Sequence, residues 1–319
     1  MIFLKKIKIN YQFKLFNDYL INNDFESAYQ YVLDLSKKNK IDFFVFLKNI
    51  QNQLSQLSSD LFKKKIIWIL SYDANDRSYL NEFLNYYLKK NANFNFKINN
   101  FTNILNEHLT NLNLKEQKNI INFDDFKAHS YLYQSLILFN SKEDILFLNS
   151  SAAFFETNMK KYFIYPNNTF CYFYIDRKPE DLYKKYKEVH GTSEGAYDEL
   201  LNLNQKEYLP PNQNDLKYEI YENRTNINTH FKSWSDSNVI STFKGKLIDY
   251  SRFDNDKESV LLEILYHLKQ YGLDINIHPE DIKEFVLSNQ NNDLSNANPL
   301  SKSEQKFLKK NIDRYNPII

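Results

Sequence analysis

Lys63-Lys64-Lys65-Ile66-Ile67-Trp68-Ile69-Leu70-Ser71-Tyr72-Asp73-Ala74-Asn75-Asp76-Arg77-Ser78 is the stretch on which the fold turns. Five consecutive apolar residues, three of them β-branched, predict a parallel strand covered on both faces rather than a half-exposed one. A short polar turn follows. Leu80, Phe83, Leu84, Tyr87 and Leu88 then recur at helical spacing, with Asp76 or Ser78 as the expected N-cap. Strand, tight turn and helix in that order open an α/β unit.

Three more buried strands are expected downstream, at residues 145–148, 170–175 and 246–250. Pro179 with Glu180 and Asp181 suits a helix start after the second of these, and Gly191 its end. Val260, Leu261, Ile264, Leu265 and Leu268 form a further helical stripe that stops at Gly272. Residues 202–229 and 286–299, rich in Asn and Pro, read as long loops. Upstream, residues about 11–62 read as helices, with Asn23-Asp24 as a turn between two of them. The expected organisation is a helical N-terminal extension over 1–62 and an α/β domain over 63–319, built on a parallel central sheet flanked by helices.

Composition excludes several function classes. Charged residues at 25% and hydrophobic residues at 42% of 319 are globular values, so neither disorder nor a membrane bundle accounts for the bulk of the chain. The net charge of +1 argues against a dedicated nucleic-acid binder. No segment near the start has a signal-peptide core and no apolar run reaches membrane-spanning length, so no membrane association and a cytoplasmic location are expected. Cys171 is the one cysteine, which rules out an internal disulfide and fits a reducing compartment. The six histidines are scattered without metal-ligand spacing, so no metal is expected.

Ligands of open α/β sheets gather at the carboxyl ends of the strands, with phosphates at a helix N-terminus. The turn 71–78 occupies that place, yet it contains no glycine to let backbone N–H groups approach a phosphate, and it carries Asp73 and Asp76. Two carboxylates repel a phosphate by about 1 kcal/mol per pair even at the dielectric of water. Arg77 offers to offset one of them.

The residues here carry a resemblance. Ile66-Ile67-Trp68-Ile69-Leu70-Ser71-Tyr72 and the helix after it resemble the donor-loop opening of the sulfotransferase family, IIWLASYPKSGNTWLR. Phe147-Leu148-Asn149-Ser150-Ser151-Ala152-Ala153-Phe154 resembles its FLKTHNAF segment, and Tyr174 to Leu182 resembles YIVRDPRDV. His230-Phe231-Lys232-Ser233-Trp234 resembles HVKSW, and Leu247-Ile248-Asp249-Tyr250 resembles the IRYEDL region. The resemblance covers roughly residues 63–273.

The resemblance implies a P-loop-NTPase-like sulfotransferase fold and the donor PAPS (3′-phosphoadenosine 5′-phosphosulfate), with a small-molecule or glycan acceptor presenting a hydroxyl or amine. It places the catalytic lysine position of the FLKTHNAF segment at Asn149 and the base position at Ser151, both substituted. Donor contacts fall on Asn75, Arg77, Ser78, Arg177 and Lys185, with Lys185 standing where the family has a serine. The donor-loop lysine is Ala74, and no C-terminal RKG segment has a counterpart. Two functions from different classes follow. One is PAPS-dependent sulfuryl transfer, reduced or lost through these substitutions. The other is a non-catalytic pseudo-sulfotransferase that binds or scaffolds, with the N-terminal helices as a surface for a protein partner. Arg177 carries two readings as well, a phosphate ligand or a residue that neutralises Asp176 or Asp181. Glu194 and Asp198 around Gly195 suggest an acceptor-site lid or a plain surface loop.

Overall fold

A computed structural model describes residues 64–100, 142–150, 169–201, 227–289 and 299–313, with scattered positions between 14 and 34. Its strands are β1 (Lys65–Ser71), β2 (Phe96–Asn100), β3 (Ile145–Ser150), β4 (Thr169–Asp176) and β5 (Gly245–Asp249). All pair in parallel, in the order β2-β3-β1-β4-β5. The apolar run that opens the fold is thus the central strand, and its continuous hydrophobicity has a direct cause. Ile67 and Ile69 join Phe147, Cys171 and Phe173 in the core on one face of the sheet. Trp68 and Leu70 alternate with them and are buried just as fully on the other face.

The helices cover both faces. They are α1 (Ser78–Asn91), α2 (Pro179–His190), α3 (Ser193–Leu201), α4 (Ile227–Ser235), α5 (Ser237–Phe243), α6 (Arg252–Asn255), α7 (Lys257–Gln270), α8 (Pro279–Ser288) and α9 (Lys302–Asn311). The stripes of α1 and α7 pack with Phe285 of α8 into the core on one face. Leu182 and Tyr183 of α2, Ala196 and Leu200 of α3, Ile227 of α4 and Leu308 of α9 form a second core with Tyr72. The architecture is α/β with an all-parallel sheet flanked by helices, consistent with the sulfotransferase-like fold that the sequence resemblance implies.

The punctuation works as the residues dictate. Pro179 sits in the first turn of α2 with Glu180 and Asp181, and Gly191 caps its end in the left-handed conformation at φ +69°.

Several expectations need correction. β2 was not expected: Phe96 and Ile98 alternate with Lys97, and the strand ends in two asparagines, so an edge strand hides inside a polar sequence. Neither Asp76 nor Ser78 caps α1. Its N-cap is Arg77, which makes no side-chain capping bond, because a 3₁₀ turn over Ala74–Arg77 intervenes and is itself capped by Asp73. The segment around Gly195 is helix α3 rather than a loop. Residues 227–229 begin α4, and 286–288 finish α8. Most of the expected N-terminal extension, residues 202–226 and residues 290–298 lie outside the described residues, as does Ser151. Among the described residues no helix is long and apolar enough to cross a membrane.

Candidate functional site

β1 and β4 are neighbours whose connections leave in opposite directions, toward β2 and β3 on one side and β5 on the other. Their carboxyl ends therefore flank the switch-point crevice where open α/β sheets place ligands. Ser71 pairs with Ile175, and Asp176 pairs with Asp249. This register brings three connections to one edge: the turn after β1, the junction of β4 with α2, and the residue after β5.

The turn after β1 is held by its own polar groups. The Ser71 hydroxyl donates to the Asp73 carbonyl, the Asn75 N–H donates to Asp73 Oδ1 at 2.8 Å, and the Ser78 hydroxyl donates to the Asn75 carbonyl at 2.8 Å. Asp73 thus supplies negative charge just ahead of α1, where the helix dipole and unpaired N–H groups favour an anion.

Both carboxylates then reach across the crevice. Lys185 Nζ lies 2.8 Å from Asp73 Oδ2. Arg177 Nη2 lies 3.1 Å from Asp76 Oδ1. The carboxylates form the floor, with side chains 5% and 1% exposed, and the cations form the rim at 24% and 16%. The Arg177 guanidinium also stacks 3.8 Å over the Tyr250 ring, and the Tyr250 N–H donates to the Asp176 carbonyl at 2.8 Å, fixing that ring after β5.

The two acids differ electrostatically. Burial opposes the charged form of Asp73, but the Lys185 ammonium and the Asn75 N–H outweigh it and hold the carboxyl below its usual value. At Asp76 burial wins. Neither of its oxygens accepts a hydrogen bond, and its pKa is pushed up to about 6 despite Arg177.

The structure thus brings Arg177 and Lys185 together with the turn that carries Asn75, Arg77 and Ser78. Asn75 and Ser78 are exposed on that turn, while Arg77 is buried and its charge bears on Asp76. Asn149 is buried at the end of β3, across β1 from Arg177, in register with Ile69 and Asn100. The carboxylate that faces Arg177 across the crevice is that of Asp76. Sequence reasoning missed Tyr250 as the platform under Arg177. The only signal for the pairing was two acids in the turn against two cations eight residues apart downstream.

Behind the crevice lies a ring cluster. His230 is fully buried, its Nδ1 3.0 Å from the Tyr174 hydroxyl, and Tyr72 meets its ring edge-on at 5.3 Å. Trp234 and Trp68 are packing residues, both buried. Cys171 is buried in the sheet, where desolvation pushes its thiol up and leaves it un-ionised. Among the described residues no three His, Cys, Asp or Glu side chains gather as metal ligands would.

The residues at the crevice do not fit PAPS. A donor phosphate would meet two buried carboxylates, and the cations that would receive it are already engaged.

No family model matches the chain, and no curated protein does. Among solved structures the chain is similar to a sulfotransferase domain from the curacin biosynthetic pathway, with a TM-score of 0.34 and 12% sequence identity. That match covers 77% of this chain and 97% of the other.

Proposed function

We propose that this chain is a sulfotransferase-like protein that no longer transfers sulfuryl groups and acts as a non-catalytic binding protein. The observation that carries the reading is the pair of ion contacts, Asp73 with Lys185 and Asp76 with Arg177, which neutralise the crevice from inside. The sequence resemblance over residues 63–273 supplies the frame, and the substitutions within it point the same way. Sulfuryl transfer needs a cation on the leaving phosphate and a base on the acceptor hydroxyl. Ala74 offers no charge, and Ser151 has no useful pKa. Loss of one charge-stabilising donor costs about 10²–10³ in rate. Loss of the base costs about 10²–10⁴. A protein partner docking on the N-terminal helices is the corresponding role.

A second reading keeps PAPS-dependent transfer to a hydroxyl or amine acceptor. It is favoured by Arg177 and Lys185, which stand at the crevice with their outer edges open to solvent. Thermal unfolding with PAP, the product nucleotide, at up to millimolar concentration and pH 7.5 separates the two. A ligand at 100 times its Kd adds about 2.7 kcal/mol. For a domain of this size that raises Tm by roughly 2–4 °C. The first reading expects no saturable shift. A saturable rise of that size overturns it and moves the work to acceptor screening with labelled PAPS.

A further inference from the structure

We infer that the outer face of α9 is a docking surface for an acidic polypeptide segment of a protein partner. The inference stands independently of the crevice and of the reading given to it above.

The helix has two unlike faces. Glu304, its one acid, is turned inward and buried, where it accepts from Tyr183, Lys187 and Ser193. Phe307 stacks on the Tyr197 ring, 3.5 Å between centroids. The outer face carries Lys302, Lys306, Lys309 and Lys310, all exposed. At the pitch of an α-helix these four fall within an arc of about 100° and a length of about 12 Å. No ion pair joins any of them to a carboxylate among the described residues.

That arrangement opposes the stability of the helix. Lys302 and Lys306, and again Lys306 and Lys310, are like charges four residues apart, which repel across a helix face. The helix dipole accounts for Lys309 and Lys310 in the last turn but opposes Lys302 in the first. In α2, by contrast, Glu180, Lys184 and Glu188 alternate in sign at the same spacing. A ligand that brings negative charge to α9 removes the repulsion. Because Glu304 and Phe307 already hold the helix in place, no ordering of the helix opposes that binding.

The surroundings select the class of ligand. The positive charge is one short line on a chain of net charge +1, not a broad field, which disfavours a nucleic-acid duplex or a bilayer. The line holds no arginine for bidentate phosphate contact and no exposed ring for a base to stack on. Asp313, 71% exposed and 3.9 Å from Lys232 Nζ, ends the line with both signs of charge. A polypeptide can match a mixed end, whereas a polyphosphate or an anionic bilayer presents anion throughout.

Fluorescence anisotropy tests this with a fluorescein-labelled dodecaglutamate peptide, titrated with full-length protein at low salt and pH 7.5. Lys306→Gln with Lys309→Gln is expected to weaken binding roughly 5-fold, and Lys306→Glu with Lys309→Glu roughly 20-fold or more. Lys269→Glu with Lys283→Glu, the same change of net charge placed on α7 and α8, is expected to stay within about 2-fold of the parent. Salt at about 0.3 M is expected to weaken the parent and narrow its gap to the variants. Unchanged circular dichroism and Tm separate lost binding from a lost fold.

No peptide binding by the parent at low salt overturns the proposal, as does equal loss in the α9 pair and the control pair. Two further outcomes replace the polypeptide by another polyanion and also overturn it. One is an oligodeoxynucleotide of the same length that binds more tightly than the peptide and loses that binding in the α9 variants. The other is phosphatidylserine vesicles that sediment the parent and not those variants. PAP binding, which tests the crevice, bears on none of these outcomes.

Discussion

Lys185 reaches back from the second turn of α2 to place its ammonium 2.8 Å from Asp73 Oδ2, tying the helix after β4 to the turn after β1. The contact is a structural clasp across the position where such folds take a ligand. Its energetics can be tested directly.

Lys185→Ala is expected to lower stability by about 1–3 kcal/mol, because it takes the cation away from a buried carboxylate. Urea unfolding at pH 7 measures it. Asp73 has a depressed pKa, so its contribution is present above the unfolded value near 3.8 and is lost as pH falls through the folded one. The gap between parent and variant is expected to narrow as pH falls below 3.8 and through the lower folded value.

Asp76 has the opposite sign. Its folded pKa of about 6 exceeds the unfolded 3.8, so the fold is favoured below pH 4 and loses that advantage as pH rises through 6. Two units correspond to roughly 3 kcal/mol as an upper bound. Asp76→Asn is expected to raise Tm at pH 7.5 and to leave it unchanged near pH 3.5. A lower Tm at pH 7.5 would show that Arg177 depends on the charge more than burial opposes it.

Gly245 is required by a close approach. A Cβ at this position would run into the ring of Tyr172, whose hydroxyl donates to the Trp234 carbonyl. Tyr172 is fully buried and has nowhere to retreat. Gly245→Ala is expected to cost roughly 2–3 kcal/mol, as overpacking does. Adding Tyr172→Ala is expected to relieve the clash, giving a double variant less destabilised than the sum of the two changes.

Glu304 docks α9. Its Oε1 accepts from the Tyr183 hydroxyl at 2.7 Å, Lys187 Nζ at 2.6 Å and the Ser193 hydroxyl at 3.2 Å. Oε2 accepts from the Ser301 N–H at 2.7 Å, closing a capping box. Burial opposes the charge, but Lys187, Ser301 and Tyr183 outweigh it and hold the carboxyl far below the usual glutamate value. Glu304→Gln keeps the shape and loses the charge. It is expected to cost roughly 2–4 kcal/mol at pH 7. The difference should shrink as pH falls below 4.5, because there the parent loses the same charge on its way through its depressed pKa.

Much of the fold was legible because its strands are buried on both faces. Residues 66–70, 145–148 and 170–175 are apolar without interruption, and a run with no polar side has one place to go. β2 was not legible, since its apolar residues Phe96 and Ile98 are only partly buried and its sequence carries Lys97, Asn99 and Asn100. Helix α9 was missed for a related reason: four lysines surround a stripe reduced to Glu304, Phe307 and Leu308, and one of those is a buried carboxylate. At the crevice, Arg177 and Lys185 were visible as candidate ligands from the resemblance alone. That their partners are Asp76 and Asp73 was not visible.

The sequence by itself determined the α/β class, the strand–turn–helix opening and the absence of glycine from the turn at 71–78, because these are local properties of hydrophobic period and backbone freedom. Only the tertiary structure decided what the turn's carboxylates do. The β1–β4 pairing, about a hundred residues apart in the chain, sets Asp73 and Asp76 against Lys185 and Arg177, and burial then divides them into a clasped acid and a proton-sensitive one. Charge partners and desolvation are properties of distance in space, and neither is written in the order of the residues.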